Sequence, residues 1–180
     1  TYYVSAADFV ACHNQADIEK YDIIQDIRPG GVFLINSTWD DEELSRRIPA
    51  AAKRYAAENN VQIYVCNAVD VAKQLGLGGK TNMVLQSAFF KLSNILPIDE
   101  AVHHMKDAVE VTYGRKGADV VAKNLAAIDA GLTALRKLEV PESWKTAEDA
   151  PEEDRPVSSD AALDHFVRSV MIPANAQRGD

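Results

Sequence analysis

Lys80, Thr81 and Asn82 stand where a short glycine-rich loop, Gly76-Leu77-Gly78-Gly79, meets an apolar stretch of helical spacing. Such a junction leaves the first backbone N–H groups of a helix without acceptors. It also sets the positive end of the helix dipole beside a lysine. Both features favour an anion, and a phosphate-bearing ligand is the chemistry they suit. The same residues also read as structure alone: a helix C-cap at Gly76, a turn, and a helix start near Thr81. The loop is neither G-x-G-x-x-G after a strand nor G-x-x-x-x-G-K-[ST]. Helix-prone residues separate it from the preceding strand, so it is not the first strand-to-helix turn of a nucleotide fold.

Other reactive side chains are scattered. His13 falls at a strand end, where α/β sheets open their ligand crevices; a structural histidine is the competing reading. His103 and His104 are adjacent on a helix and point to different faces, so they do not chelate one metal together. Asn36, Ser37 and Asn67 also end strands, where they suit a crevice or a helix cap equally. The residue after Ser37 is Thr38, not the acidic residue that grips a ribose in dinucleotide folds. Asp40-Asp41-Glu42-Glu43 reads as a helix N-terminus rather than a metal site. Cys12 and Cys66 are the only cysteines. By themselves they fall short of the roughly four ligands of a zinc or iron–sulfur site. They read as buried small residues, with a disulfide open only if their strands are neighbours.

The elements that must position these residues follow from periodicity. Short apolar runs at 8–12, 32–37 and 61–66 are strands, and their continuous apolarity is that of parallel strands covered on both faces. Helix-prone pieces lie between them: a turn or two at 14–21, then 40–47, a helix starting at Pro49 and ending at Asn59-Asn60, and 70–75. Arg28-Pro29-Gly30-Gly31 is a turn signal. This alternation predicts an α/β fold: a partial Rossmann-like three-layer unit with a short parallel sheet. Three strands are few for a doubly wound domain, so either the sheet is completed by another chain or a missing N-terminal part, or the subdomain is small; an open edge would favour self-association. After Lys80 the pattern is helical only: 82–96, 99–113 and 118–138, with Gly131 marking close packing in the last. Residues 140–156 carry three prolines and an acidic run and read as a solvated linker. One more helix is expected over 160–170, then a polar connector. The domain organisation is therefore 1–138, an α/β domain with a helical C-terminal half, and 139–180, linker and connector.

Composition bounds the function. The 180 residues have 47% hydrophobic content and a net charge of −8. That charge argues against nonspecific nucleic-acid binding and against adhesion to anionic membranes. No apolar run approaches the ~20 residues of a membrane span. The chain begins Thr-Tyr-Tyr-Val-Ser, with no secretory signal pattern. It reads as a segment of something longer.

Several strings together resemble pyruvate:ferredoxin (flavodoxin) oxidoreductase. These are 9–14, 20–22, 29–37, the glycine-rich junction through Leu92, Tyr113-Gly114 with Lys116-Gly117, Asn124, Asp129, 141–144 and the tail from Pro173. They are collinear over nearly the whole chain. The resemblance places residues 1–138 in the later part of the γ-subunit-like middle domain, and 139–180 in the connector toward a ferredoxin-like domain. It implies a large, homodimeric, cytoplasmic enzyme that decarboxylates pyruvate on thiamine diphosphate with Mg²⁺. Electrons leave through [4Fe–4S] clusters to ferredoxin or flavodoxin, and coenzyme A takes the acetyl group. No diphosphate motif or cysteine cluster motif of the family occurs here, nor does the glycine-rich first half of the middle domain. The resemblance therefore implies a segment that binds no cofactor and catalyses nothing alone, with the remaining domains of the polypeptide as its partners. It also implies a coenzyme A contact, carried onto Asn82 first, with Lys80 and Thr81 in support. The alternative is a stand-alone α/β binding or interaction module. A small nucleotide-binding enzyme is disfavoured by the missing fingerprint.

Overall fold

The computed structural model describes residues 7–20, 22–93 and 96–149, and the backbone at 170–171. Apolar runs become strands and amphipathic runs become helices. β1 is Ala7–Cys12, β2 Ile27–Asn36, β3 Gln62–Cys66, β4 Leu135–Leu138 and β5 Val170–Met171. They form a mostly parallel five-stranded sheet in the order β4-β3-β2-β1-β5. β1 runs parallel to β2 with Phe9 opposite Val32 and Cys12 opposite Ile35. β5 pairs antiparallel on the edge beyond β1. Consecutive residues Phe33, Leu34 and Ile35 are all buried, as expected of a strand covered on both faces. The α/β class read from the sequence is thus borne out.

The helices are α1 (Asp22–Gln25), α2 (Asp41–Arg47), α3 (Ala50–Glu58), α4 (Ala68–Gln74), α5 (Asn82–Ser93), α6 (Ile98–Tyr113) and α7 (Ala118–Thr133). The chain divides into two units. The first holds residues 1–35, 39–64 and 137–180; the second holds 36–38 and 65–136.

In the first unit, Asp40 caps α2 by accepting from the Glu43 N–H at 2.8 Å. Glu43 in turn bonds Arg46 and Arg47. The acidic run is therefore a helix start. α3 follows Pro49 and is capped from far along the chain: the Ala50 N–H donates to Asp149 Oδ1 at 2.9 Å. Arg54 donates to the Ala147 carbonyl, and Trp144, in a short 3₁₀ turn, is 7% exposed.

In the second unit, α5, α6 and α7 pack together. Met105, Val109 and Ile128 form a buried cluster, with Met83, Phe90 and Leu125 against it. α7 presses on α5 at Gly131, where a Cβ would lie 2.1 Å from Ser87 Oγ and 2.3 Å from the Val84 carbonyl oxygen. Ser87 Oγ donates to the Ile128 carbonyl at 2.7 Å. The reading of Gly131 as a close-packing glycine holds.

Four expectations are corrected. The third long helix stops at Thr133 rather than 138, and 135–138 is an edge strand. No glycine or proline marks that boundary, and sheet hydrogen bonds there outweigh helical propensity. Arg28-Pro29-Gly30-Gly31 lies inside β2 as a bulge, with the register shifting between Ala7 opposite Ile27 and Phe9 opposite Val32. A bulge tolerates both the missing proline N–H and the positive φ of Gly30, 78°. The stretch 141–149 is not a solvated linker, because Trp144 and Asp149 tie it to α3. α4 begins at Ala68, not Asp70. The helix expected over 160–170 lies outside the described residues except at Val170, which is strand.

Candidate functional site

α4 ends in a paired hydrogen-bond arrangement. The Gly76 N–H donates to the Lys73 carbonyl at 3.1 Å, and the Leu77 N–H to the Ala72 carbonyl at 2.8 Å. This closure needs a left-handed residue at Gly76, whose φ is 79°. A turn follows, with the Lys80 N–H on the Leu77 carbonyl at 3.2 Å. The Thr81 carbonyl then accepts the first α-helical bond, from the Leu85 N–H at 3.1 Å. Thr81 is thus the boundary residue of α5 and Asn82 its first helical residue. The sequence reading of a capped helix end and a new helix start is correct in both halves.

The fold adds what spacing did not show. A cleft of about 220 Å³ opens over this junction. Its lining includes Lys80 and Asn82, then Tyr113 and Lys116 from the end of α6, and Lys123 and Asn124 from α7. Lys123 pairs with Asp119 at 3.0 Å. The Lys116 ammonium sits 5.5 Å from the centre of the Tyr113 ring. Asn124, 7% exposed, donates from Nδ2 to the Val120 carbonyl at 2.9 Å. Of the expected contact residues, Lys80 and Asn82 face the cleft and Thr81 stands between them without lining it. Lys116 and Asn124 belong to strings singled out for family resemblance, but nothing local joined them to Lys80. Lys123 was missed; its only sequence signal is the Asp119 four residues earlier.

The other candidates resolve into structure. Asn36 Oδ1 accepts from the Ala68 N–H at 3.2 Å, and Asn67 caps α4 by accepting from the Asp70 N–H at 3.1 Å. Both strand-end asparagines thus serve the start of α4. Desolvation lowers the pKa of His13, and the cleft does not include it. His103 pairs with Asp107 at 3.2 Å and His104 with Glu100 at 3.7 Å, confirming their divergent directions. Cys12 and Cys66 are free and buried, on strands separated by β2. Burial, and secondarily the Asp17 carboxylate, pushes the Cys12 thiol up to about 12. Burial pushes Cys66 to about 11. Protonated, buried thiols on non-neighbouring strands do not fit an iron–sulfur cluster. A larger cleft of about 660 Å³ opens in the first unit beside β4, but its lining mixes Lys137 with Glu139 and Glu142. It has no convergent charge of one sign. Among the described residues, no helix is long and apolar enough to cross a membrane.

Comparison with known proteins follows the same line. The family model described as "Pyruvate ferredoxin/flavodoxin oxidoreductase" matches residues 1–134. The chain is 43% identical over 179 residues to a pyruvate-flavodoxin oxidoreductase of Enterobacter agglomerans, covering 99% of this chain and 15% of that protein. It is 40% identical over 179 residues to the pyruvate:ferredoxin oxidoreductase of Moorella thermoacetica, with the same coverage. A mitochondrial pyruvate dehydrogenase [NADP(+)] of Euglena gracilis is 34% identical over 181 residues, covering 99% of this chain and 10% of that protein. The chain therefore spans about 15% of the length of the bacterial relatives named here. In fold it is similar to the PORC subunit of pyruvate oxidoreductase from Thermotoga maritima. The TM-score is 0.59 at 20% identity, over 76% of this chain and 67% of that one.

Proposed function

This chain belongs to the pyruvate ferredoxin/flavodoxin oxidoreductase family, and on that premise we propose that it is one segment of an enzyme converting pyruvate to acetyl-coenzyme A. Electrons would pass through [4Fe–4S] clusters to ferredoxin or flavodoxin. In this reading residues 1–138 are γ-like domain and 139–180 lead toward the next domain. The partners are the rest of the polypeptide and a second copy of it, in the cytoplasm. The observation that carries the reading is end-to-end collinearity at 43% identity with one stretch of a much longer oxidoreductase. A relative named for NADP(+) aligns as completely as those named for flavodoxin. The electron acceptor is therefore set by parts of the polypeptide outside this stretch.

Thiamine diphosphate, Mg²⁺ and the clusters would sit on other domains. Here the thiols are buried and protonated, and no three His, Cys, Asp or Glu residues gather at a metal-binding distance among the described residues. What this chain offers the reaction is an anion-favouring cleft at Lys80 and Asn82, suited to coenzyme A. Its residues bind and orient a substrate rather than exchange protons or electrons with it.

The experiment is steady-state pyruvate oxidation by the full-length polypeptide carrying this chain, with coenzyme A as the varied substrate. Reduction of ferredoxin or flavodoxin should require both pyruvate and coenzyme A. Asn82→Ala should raise the KM for coenzyme A severalfold, in line with about 1 kcal/mol for a lost hydrogen bond. An unchanged KM would remove the coenzyme A contact from this junction.

A further inference from the structure

α3 begins on a residue that cannot cap it. Its N-cap is Pro49, which gives no side-chain acceptor, and the cap comes instead from Asp149, 99 residues beyond Ala50. The segment that brings Asp149 follows one stripe of the helix. Pro141 and Glu142 line the same cleft as Ala57, near the C-terminal end of α3. The Lys53 ammonium lies 5.6 Å from the centre of the Trp144 ring. Arg54 Nη1 donates to the Ala147 carbonyl at 2.6 Å, and the Ala50 N–H meets Asp149 at 2.9 Å. Positions 50, 53, 54 and 57 share one helix face, so 141–149 runs antiparallel to α3. Ala50 and Ala57 are both buried, and their small side chains let the segment lie close. Ordering a proline- and acid-rich segment costs backbone entropy, which these contacts offset. The Gly30 N–H donates to the Asn59 carbonyl at 2.7 Å, placing the early part of β2 beside the end of α3. The segment therefore carries the chain away from that end of the sheet, to the start of α3.

The family model ends at residue 134, before β4 and before this segment. The likeness to much longer polypeptides continues through it, over 99% of this chain. The segment is thus shared with long polypeptides while lying beyond the matched family domain. We infer that residues 141–149 are a clasp that fastens the polypeptide leading to the next domain onto α3, and so fixes where that domain starts. The inference rests on the reading of 139–180 given above. Distances show what fastening changes. The nine residues 141–149, free and extended, would reach about 30 Å. Laid along α3, itself nine residues, they span about 13 Å. An open clasp would release the difference as slack, and domains joined loosely move against one another by default.

The test uses the full-length polypeptide and limited cleavage by trypsin. Lys145 lies inside the clasp, and cleavage after it requires the segment to leave α3. Cleavage after Arg46 or Arg47, in α2, reports opening of the whole first unit. Trp144→Ala should speed cleavage after Lys145 on the order of a hundredfold, the loss of a buried aromatic. Asp149→Ala should speed it about fivefold, the loss of a cap, and Asp149→Asn, which keeps a capping acceptor, should stay slow. Cleavage after Arg47 should stay slow in all three. Pyruvate turnover should fall severalfold in Trp144→Ala, at an unchanged KM for coenzyme A. Should Trp144→Ala fail to fold, the two Asp149 variants carry the same comparison. If Lys145 is cut as fast in the unaltered protein as in the variants, or if the cuts at Lys145 and Arg47 accelerate together, there is no clasp. If the clasp opens while turnover holds, it does not place the next domain, and the inference is overturned as well. A full-length polypeptide that oxidises no pyruvate would instead defeat the proposed function, and the cleavage pattern would still decide whether the clasp exists.

Discussion

The first turns of α3 and α5 both lack an acidic residue of their own, yet they are completed differently. At α3 the chain returns to cap itself. Asp149 accepts from the Ala50 N–H, Arg54 binds the Ala147 carbonyl, and Trp144 is buried nearby. At α5 no carboxylate arrives among the described residues; the side chains that line the cleft over it include Lys80, Lys116 and Lys123. One helix start is satisfied within the protein; at the other we propose that an anion from outside does the same. The contrast separates structural polar groups from binding groups better than residue type does. Asn67 and Asn82 are the same residue at successive helix starts, but Asn67 caps α4 while Asn82 faces the cleft.

The largest effect is expected at the contact that holds α5 in place. Gly131→Ala puts a methyl group into Ser87 Oγ and the Val84 carbonyl. The separation of α5 and α7 must then grow, which should cost about 3 kcal/mol of stability, the upper range for overpacking. Urea unfolding measures it, and coenzyme A affinity should fall with it. A smaller loss is expected at the self-capped helix. Asp149→Ala removes the partner of Ala50 and should cost about 1 kcal/mol, with no effect on the KM for coenzyme A. The reciprocal substitution sharpens the contrast. Thr81→Asp gives α5 the carboxylate it lacks, so stability should rise by roughly 0.5 kcal/mol while coenzyme A binding weakens. Stability and affinity would then move in opposite directions at α5, which they should not do at α3.

The last effect is absent at neutral pH and concerns groups far from any ligand. Both thiols are protonated in the folded and unfolded chain below about pH 9, the ordinary value for these groups. Above it the unfolded chain ionises, while the folded one holds Cys66 to about 11 and Cys12 to about 12. Their contribution should therefore be constant up to about pH 9 and then destabilise progressively as pH rises toward 11–12. A pH series of urea midpoints checks this, and Cys12→Ala should flatten the decline.

Much of this molecule was readable locally. The runs 32–37 and 61–66 are strands because their apolarity is unbroken and bounded by polar residues. Gly76 ends α4 because only a residue that accepts positive φ closes that hydrogen-bond pattern. Gly131, in the middle of a helical stripe, announced a close neighbour. The misreadings share one cause. Arg28-Pro29-Gly30-Gly31 has turn composition, yet β1 alongside it makes it a bulge. Leu135 to Leu138 fits a helical stripe until a strand pairs with it. Trp144 sits among prolines and acids and looks like linker until α3 packs on it. In each case the deciding partner lies far along the chain.

From local windows alone, then, the sequence settled β1, β2 and β3 and most of the helices, the junction at Lys80 to Asn82, and a family likeness spread over nearly every string. These are properties of short windows, where backbone preference and apolar period act locally. Only the tertiary structure decided which polar groups are engaged and which remain open. It took Asn36 and Asn67 for caps, assigned Asp149 to α3, and brought Lys116 and Lys123 over the start of α5. The physical reason is that the convergence of charge depends on how helices pack, and α5 meets α7 closely only because Gly131 has no side chain.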